Sequence, residues 1–299
     1  LLDRAESDLF DVEYKVNRIK NSKVKLACIV GDIRNHDGLR QIFLQQRPHM
    51  VFHAAAYKHV PLMERFPHEA VLNNIGGTIN VSRAAAAAGS HRLVLVSTDK
   101  AVNPTCVMGA TKRIAELFCA FQNGQSLKHI VVRFGNVLAS KGSVVPIFER
   151  QIRDGGPVTV TSKEMERFFM TIPEAVELVL QAGGIGEGGE IYVLDMGEPV
   201  KIYELARHLI ALSGFEPEAE IPIEITGLRE GEKLFEELWS GEEKPEPTAF
   251  PKIMRVTNTL ARKPGFSQIA LDRLFQAAQQ ADPAQLRHWL PEILPTAQF

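Results

Sequence analysis

The 299-residue chain has few cysteines, almost no net charge and no long apolar run. Its three cysteines, Cys28, Cys106 and Cys119, contain no CxxC pair. They make no plausible metal set, and no metal is expected. Cys28 and Cys119 sit in apolar runs and read as core thiols kept reduced. A formal net charge of −2 gives no electrostatic case for nucleic acid or an anionic membrane surface. No apolar stretch reaches the about 18–20 residues that span a bilayer. There is no secretory signal pattern and no internal repeat. The chain opens on Leu1-Leu2-Asp3-Arg4, without Met and without a preceding strand. It therefore reads as a fragment, and as given a cytoplasmic one.

What is present is an ordinary globular composition, 45% hydrophobic, enough for one large or two modest domains. Residues 1–3 read as the tail of a strand. Residues 7–20 are predicted helical, with Leu9, Val12, Val16 and Ile19 on one stripe. Strands are expected at 25–30, 50–56, 93–97 and 129–134, with helices at 37–46, 67–88 and 109–121. That alternation implies βαβ units with right-handed crossovers. The fold class is α/β, with a doubly wound, Rossmann-like parallel sheet. Past about residue 140, glycines and prolines interrupt the rhythm. Short strands are expected at 158–161, 190–194 and 221–225, helices at 173–182 and 202–213, and a loop passing into a helix at 227–237. The expected organisation has three parts. Residues 1–140 form a dinucleotide-binding domain lacking its first strand and glycine-rich loop. Residues 141–240 form a smaller α/β substrate lobe, with strand 190–194 a candidate to return to the main sheet. Residues 241–299 form a linker and helical tail. The charged, proline-rich stretch 242–251 reads as linker or mobile loop, and 267–294 as one or two helices.

In open α/β sheets, ligands bind beyond the carboxyl ends of the strands. The apolar run at 93–96 ends there in Ser97, Thr98, Asp99 and Lys100. An adjacent carboxylate and amine act as acid and base when their surroundings separate their pKa values; the plain alternative is a solvated turn. Lys112 follows Met108 by four residues, so on a helix they share a face; Met108 also reads as core filler. Asp3 stands where a dinucleotide fold places its ribose-binding acid, about 20 residues past a glycine-rich loop. That loop is absent here, and a turn residue is the other reading. Asp32 reads as an adenine-edge ligand or a helix cap. The small side chains of Ala54, Ala55 and Ala56 admit either a ligand or a tightly packed helix. His53 reads as a satisfied, partly buried histidine, and Tyr57-Lys58-His59 as a polar cluster beyond that strand. Asn73 and Asn74 interrupt an apolar helix face, so they hold backbone together or face a ligand. Arg229, Glu232 and Lys233 offer a phosphate fork and hydroxyl acceptors, or form a charged helix start. Arg133 and Arg167 are candidates to add charge to the same anion.

Five segments share one resemblance: HAAAYKHVPLME (53–64), STDKAVNPTCVMGATK (97–112), RFGNV (133–137), FFMTIPE (168–174) and GLREGEKLFEEL (227–238). Together they resemble the CapD-like polysaccharide biosynthesis proteins, nucleotide-sugar 4,6-dehydratases of the extended short-chain dehydrogenase/reductase superfamily. The resemblance runs from about residue 3 to 238 and leaves the tail after 242 uncovered.

The resemblance implies NAD, rather than NADP, as cofactor and UDP-N-acetylglucosamine as substrate. A hydride leaves carbon 4, the carbon-5 proton is removed, the carbon-6 hydroxyl departs as water, and the hydride returns to carbon 6. By position, Asp99 is the acid for the departing hydroxyl and Lys100 the base at carbon 5. Thr98 bonds the carbon-4 hydroxyl, and Lys112 grips the nicotinamide ribose. Met108 stands where most of the superfamily has Tyr, as in the large, membrane-linked, carbon-5-retaining branch. Asp3, Arg4, Asp32, Ile33, Ala54, Ala55, Ala56 and Asn73 fall at cofactor positions. Lys58, His59, Asn136, Val145, Arg167, Arg229 and Glu232 fall at substrate positions, with Arg229 and Glu232 at the UDP. A homo-oligomer is implied, and membrane contact only through a region before residue 1 that would anchor the full-length protein to the inner membrane. Two alternatives stand beside this: a sugar-nucleotide epimerase, which needs no group to expel water, and a catalytically inactive nucleotide-sugar-binding fragment, which the missing loop suggests.

Overall fold

The computed structural model describes residues 1–19, 24–122, 126–257, 268–295 and 297. Of the residues expected in helices, Lys20 and Ser267 lie outside these. The first part alternates strand and helix: β1 (Leu2–Asp3), α1 (Glu6–Asn17), β2 (Ile29–Val30), α2 (His36–Gln46), β3 (Met50–His53), α3 (Val60–Arg65), α4 (Pro67–Ala70), α5 (Gly77–Ala87), β4 (Arg92–Val96), α6 (Val107–Phe121) and β5 (Lys128–Arg133). Shorter elements follow: β6 (Asn136–Val137), α7 (Val144–Arg153), β7 (Val158–Val160), β8 (Glu166–Arg167), β9 (Phe169–Met170), α8 (Ile172–Ile185), β10 (Ile191–Leu194), β11 (Val200–Lys201), α9 (Ile202–Leu212) and β12 (Ile223–Ile225). The chain closes with β13 (Lys244–Pro247), β14 (Ile253–Thr257), α10 (Gln268–Gln279) and α11 (Pro283–Ile293).

The main sheet runs β13-β14-β10-β5-β4-β3, parallel from β3 to β10 and antiparallel at β14 and β13. β1 and β2 form a separate parallel pair. Residues 93–96 of β4 are apolar without alternation because both faces of the strand are covered. On one face Leu95 packs with Val131, Ile191 and Ile114 of α6. On the other, Val94 packs with Ile130, Val132 and Leu178 of α8. Leu→Ala at such a site costs about 2–5 kcal/mol. The second lobe has its own core, where Phe148 and Ile152 of α7 meet Ile202 and Ile210 of α9 over Val158 and Val160.

Residues 67–87 continue helically through α4 and α5, but the middle, Val71–Gly76, is a π-helical turn. This is the segment that carries Asn73 and Asn74, and π turns recur at functional sites. The strands expected at 25–30 and 50–56 shorten to Ile29–Val30 and Met50–His53, and Cys28 is half-buried rather than core. Residues 227–237 hold no helix. Two of their carbonyls are held by one side chain: Arg167 donates to Lys233 O and Leu234 O at 2.8 and 3.1 Å. The expected linker at 242–251 instead carries the strand β13 at its centre, with turns and bends on either side. β13 pairs with β14, and Pro245 and Pro247 are tolerated because β13 is the sheet's edge. The tail helices α10 and α11 bury Leu271, Leu274, Leu286 and Leu290 in the same cluster as Ile75 and Ile114. Among the described residues no helix is long and apolar enough to cross a membrane.

Candidate active site

Thr98 leaves β4 in extended conformation and turns the chain into one 3₁₀ turn, Asp99–Ala101. Oδ1 of Asp99 accepts hydrogen bonds from the Thr98 hydroxyl at 2.8 Å, the Lys100 backbone N–H at 2.9 Å and Lys100 Nζ at 3.1 Å. Its Oδ2 is buried with no partner among the described residues. A Cβ at Gly135 would lie 3.1 Å from that oxygen and 3.0 Å from Phe168 Cβ, so any larger residue would crowd this side of the carboxylate. The helix α6 begins against the same turn. A Cβ at Gly109 would stand 2.2 Å from the Lys100 carbonyl oxygen; glycine there lets the first helical turn press onto Lys100. Glu64 Oε1 takes the Val107 N–H at 2.6 Å, filling one of the helix's orphan donors. One turn on from Met108, Lys112 Nζ donates to Val96 O at 2.6 Å.

Charge is arranged unevenly across this wall. Burial acts to lower the Lys100 ammonium's pKa, but Asp99 and Glu236 outweigh it, and the group is held above the ordinary lysine value. Lys112 has no such pair. Burial pushes it down to about 8, against the pull of Glu116 and Cys119. His53 is driven by burial and the Lys112 charge to about 3; its Nε2 lies 3.0 Å from Thr78 Oγ1, which is the satisfied histidine read from the sequence.

A pocket of about 500 Å³ lies beyond the carboxyl ends of β3, β4 and β5 and opens against the second lobe. It brings together Thr98, Lys100, Met108 and Lys112 with Ala54 and Ala56. Lys58 and His59 from the loop after β3, Asn136 from β6, Arg167 from β8, and Arg229 and Glu232 from the 226–243 loop reach the same space.

Other sequence candidates stand elsewhere. Asp99 is fully buried behind Thr98 and Lys100 and does not line the pocket. Asp3 Oδ1 caps the turn into α1 by accepting the Ala5 N–H at 2.8 Å. The guanidinium of Arg4 lies 4.9 Å from the Tyr57 ring. Asp32 is gripped by Arg34 at 2.8 Å, and these hydrogen bonds hold its carboxyl below the usual range; it lines a different hollow, beside Leu72 and Phe275. Ile33 is buried with Leu39 and Val81 in a core cluster. Ala55 does not line the pocket, nor does Val145; Val144 and Phe148 do, and helical spacing turns Val145 off their face.

Two asparagines and two arginines resolve in opposite ways. Among the described residues, the Asn73 side chain donates to Asn74 Oδ1 at 3.2 Å. Asn74 takes the Tyr57 N–H at 2.8 Å and donates to Tyr57 O and Thr111 Oγ1, so it pins the 54–59 loop onto α6. Arg167 lines the pocket. Arg133 has no exposed surface, binds Glu116 and Glu243 at 2.8 and 2.9 Å, and is not available to a ligand. Glu236 was not singled out by residue type, although the GLREGEKLFEEL segment contains it. Its side chain is 2% exposed, with Oε1 3.2 Å from Lys100 Nζ.

The architecture and this strand-end site define a Rossmann-type α/β protein of the extended short-chain dehydrogenase/reductase superfamily. Residues 1–258 match the model of the polysaccharide biosynthesis protein family, and the chain belongs to that family, as a CapD-like member. The match reaches past residue 242 and takes in the β13–β14 hairpin, which the sequence resemblance left uncovered. The capsular polysaccharide biosynthesis protein CapD of Staphylococcus aureus is 49% identical over 257 residues, covering 85% of this chain and 43% of CapD. The chain therefore spans less than half of that relative's length. Among solved structures, Pen from Bacillus thuringiensis superposes with a TM-score of 0.77 at 35% identity, covering 87% of this chain and 80% of Pen. DesIV, a dTDP-glucose 4,6-dehydratase of Streptomyces venezuelae with NAD bound, shares the fold at TM-score 0.66 and 20% identity, covering 93% of this chain and 86% of DesIV.

Proposed function

We propose that this domain carries the 4,6-dehydration of UDP-N-acetylglucosamine to a UDP-4-keto-6-deoxy sugar. The observation that carries the proposal is the Asp99–Lys100 pair, hydrogen-bonded at 3.1 Å at the wall of a pocket of the size small-molecule sites have. Membership of a polysaccharide biosynthesis family supports a sugar-nucleotide substrate.

Ala54, Ala56 and Lys112 fit the nicotinamide end of NAD. Two methyl side chains leave room for the ring, and Lys112, tied to Val96 O, sits on the same pocket wall, where its ammonium would meet ribose hydroxyls. When bound, NAD supplies a reversible hydride acceptor. Arg167, Arg229 and Glu232 line the same pocket and suit a diphosphate and its ribose.

The elimination is the work of this chain's own residues. Proton transfer along the Lys100–Asp99 bond converts ammonium and carboxylate into amine and acid. The Lys100 amine takes the carbon-5 proton. The C–H electrons form the carbon–carbon double bond, and the carbon-6 hydroxyl leaves as water with the Asp99 proton. The pair ends as ammonium and carboxylate again. Asp99 is enclosed, so the Thr98 hydroxyl, 2.8 Å from it and on the pocket wall, relays its proton and also bonds the carbon-4 hydroxyl. Met108 cannot take a proton, so no tyrosinate acts at that position.

The test is incubation of the full-length protein with NAD and UDP-N-acetylglucosamine in deuterated water, followed by NMR. A 4-keto-6-deoxy product carrying deuterium at carbon 5 is expected. A carbon-4 epimer that keeps its carbon-6 hydroxyl would establish an epimerase instead. No turnover by protein shown to bind both ligands would establish a binding domain.

A further inference from the structure

Glu236 is buried behind Lys100, in a stretch with no helix or strand. Its Oε1 lies 3.2 Å from Lys100 Nζ and 3.3 Å from Arg167 Nε. Its Oε2 is buried and has no partner among the described residues. On the opposite side, Asp99 Oδ1 accepts from the same Lys100 nitrogen at 3.1 Å. The Lys100 ammonium thus stands between two enclosed carboxylates, and one of them also holds the arginine that faces the pocket. A small cavity of about 110 Å³ runs alongside, lined by Lys100, Arg167, Glu236, Thr105, Cys106 and Gly231.

We propose that Glu236 is a positioning residue that holds Lys100 and Arg167 in one array and governs when Lys100 carries its proton. The catalytic meaning of this rests on Lys100 being the base at carbon 5; the array itself does not. A single carboxylate oxygen shared by an amine and a guanidinium fixes their spacing, and so fixes the reacting amine relative to the group suited to the diphosphate. Two carboxylates on one amine favour its charged form. The other groups facing Lys100 are Arg167, which opposes its charge, the Cys106 thiol, and Glu232 and Lys233 on the cavity rim. With Asp99 and Arg167 left in place, loss of the Glu236 charge makes the Lys100 proton easier to remove.

The experiment is competitive acetylation of Lys100 across a pH series, read by peptide mass spectrometry. It compares the 299-residue chain with its Glu236→Gln and Glu236→Asp variants. Lys100 is accessible to the reagent, with 23% of its side chain exposed. The midpoint should fall by about 1–3 pH units in Glu236→Gln and by less in Glu236→Asp, which keeps the charge but withdraws it by a methylene. A carboxylate that merely braced the loop would leave the midpoint where it is. An unmoved midpoint in folded Glu236→Gln overturns the proposal. If that variant does not fold, Glu236→Asp decides: a lowered midpoint supports the array and an unchanged one overturns it. The labelling needs no turnover, so an inactive wild type would remove the dehydratase reading and leave this result standing. Product formation with an unmoved Lys100 would remove only the array.

Discussion

Two clusters of buried charge start from neighbouring residues at the end of β4, and they differ in completeness. Ser97 donates to Glu116 Oε1 at 2.6 Å. Behind it, Glu116 and Glu243 are bound by Arg113 and Arg133 through both oxygens of each carboxylate. One residue on, Thr98 donates to Asp99, and Asp99, Lys100, Glu236 and Arg167 form the second cluster. Here each carboxylate keeps one buried oxygen with no partner among the described residues. Buried polar groups are ordinarily satisfied. The first cluster is complete and ties β5, α6 and the 238–243 segment together. The second is unfinished, faces a pocket, and is the one with capacity left for chemistry.

The comparison can be broken at its complete member first. Arg133→Ala leaves two buried carboxylates short of their partner and should cost about 3–5 kcal/mol of folding stability, read by urea unfolding. A loss under about 1 kcal/mol would mean that the cluster does not hold the fold. At the unfinished member the reverse split is expected. Asp99→Asn should lower turnover of the full-length protein by about 10²–10⁴, while thermal unfolding moves far less than for Arg133→Ala. Comparable damage to both readouts would make Asp99 structural.

The smallest effects separate the two sides by pH. Burial would raise the Glu116 carboxyl, but Arg133 and Arg113 outweigh it and hold the group down at about 2. Its contribution is full above the ordinary carboxylate value and is lost as pH falls toward 2. Lys112 works at the other end. Its folded value of about 8 lies below the ordinary lysine value of 10.5, so between these the unfolded chain binds more protons. Stability should rise across that window by at most about 3 kcal/mol. Unfolding free energies from pH 3 to 11 should show both limbs. Glu116→Gln should flatten the acid one and Lys112→Met the alkaline one.

Much of the site was legible because its residues are close in sequence. Thr98, Lys100, Met108 and Lys112 lie within fifteen positions, and a strand end followed by a helix carries them to one wall by local geometry alone. Ala54, Ala56, Lys58 and His59 were legible for the same reason at the end of β3. Candidates that depended on distant partners were misread. Arg133 and Arg167 look alike as isolated cations, but Arg133 meets Glu243 110 positions away. Of two adjacent asparagines, the π turn aims Asn74, not Asn73, at the 54–59 loop. Pro245 and Pro247 argue for a linker until β14 makes them an edge strand.

Hydrophobic period and strand-end chemistry are local properties, and they suffice to specify the α/β alternation, the apolar run at 93–96 and the polar cluster at its end. Which charges are satisfied depends on contacts made only when the chain folds. Folding encloses Asp99, turns Arg133 inward and brings Glu236 to Lys100 across 136 positions. A carboxylate's role depends on how many of its oxygens find donors, and those donors come from elsewhere in the chain.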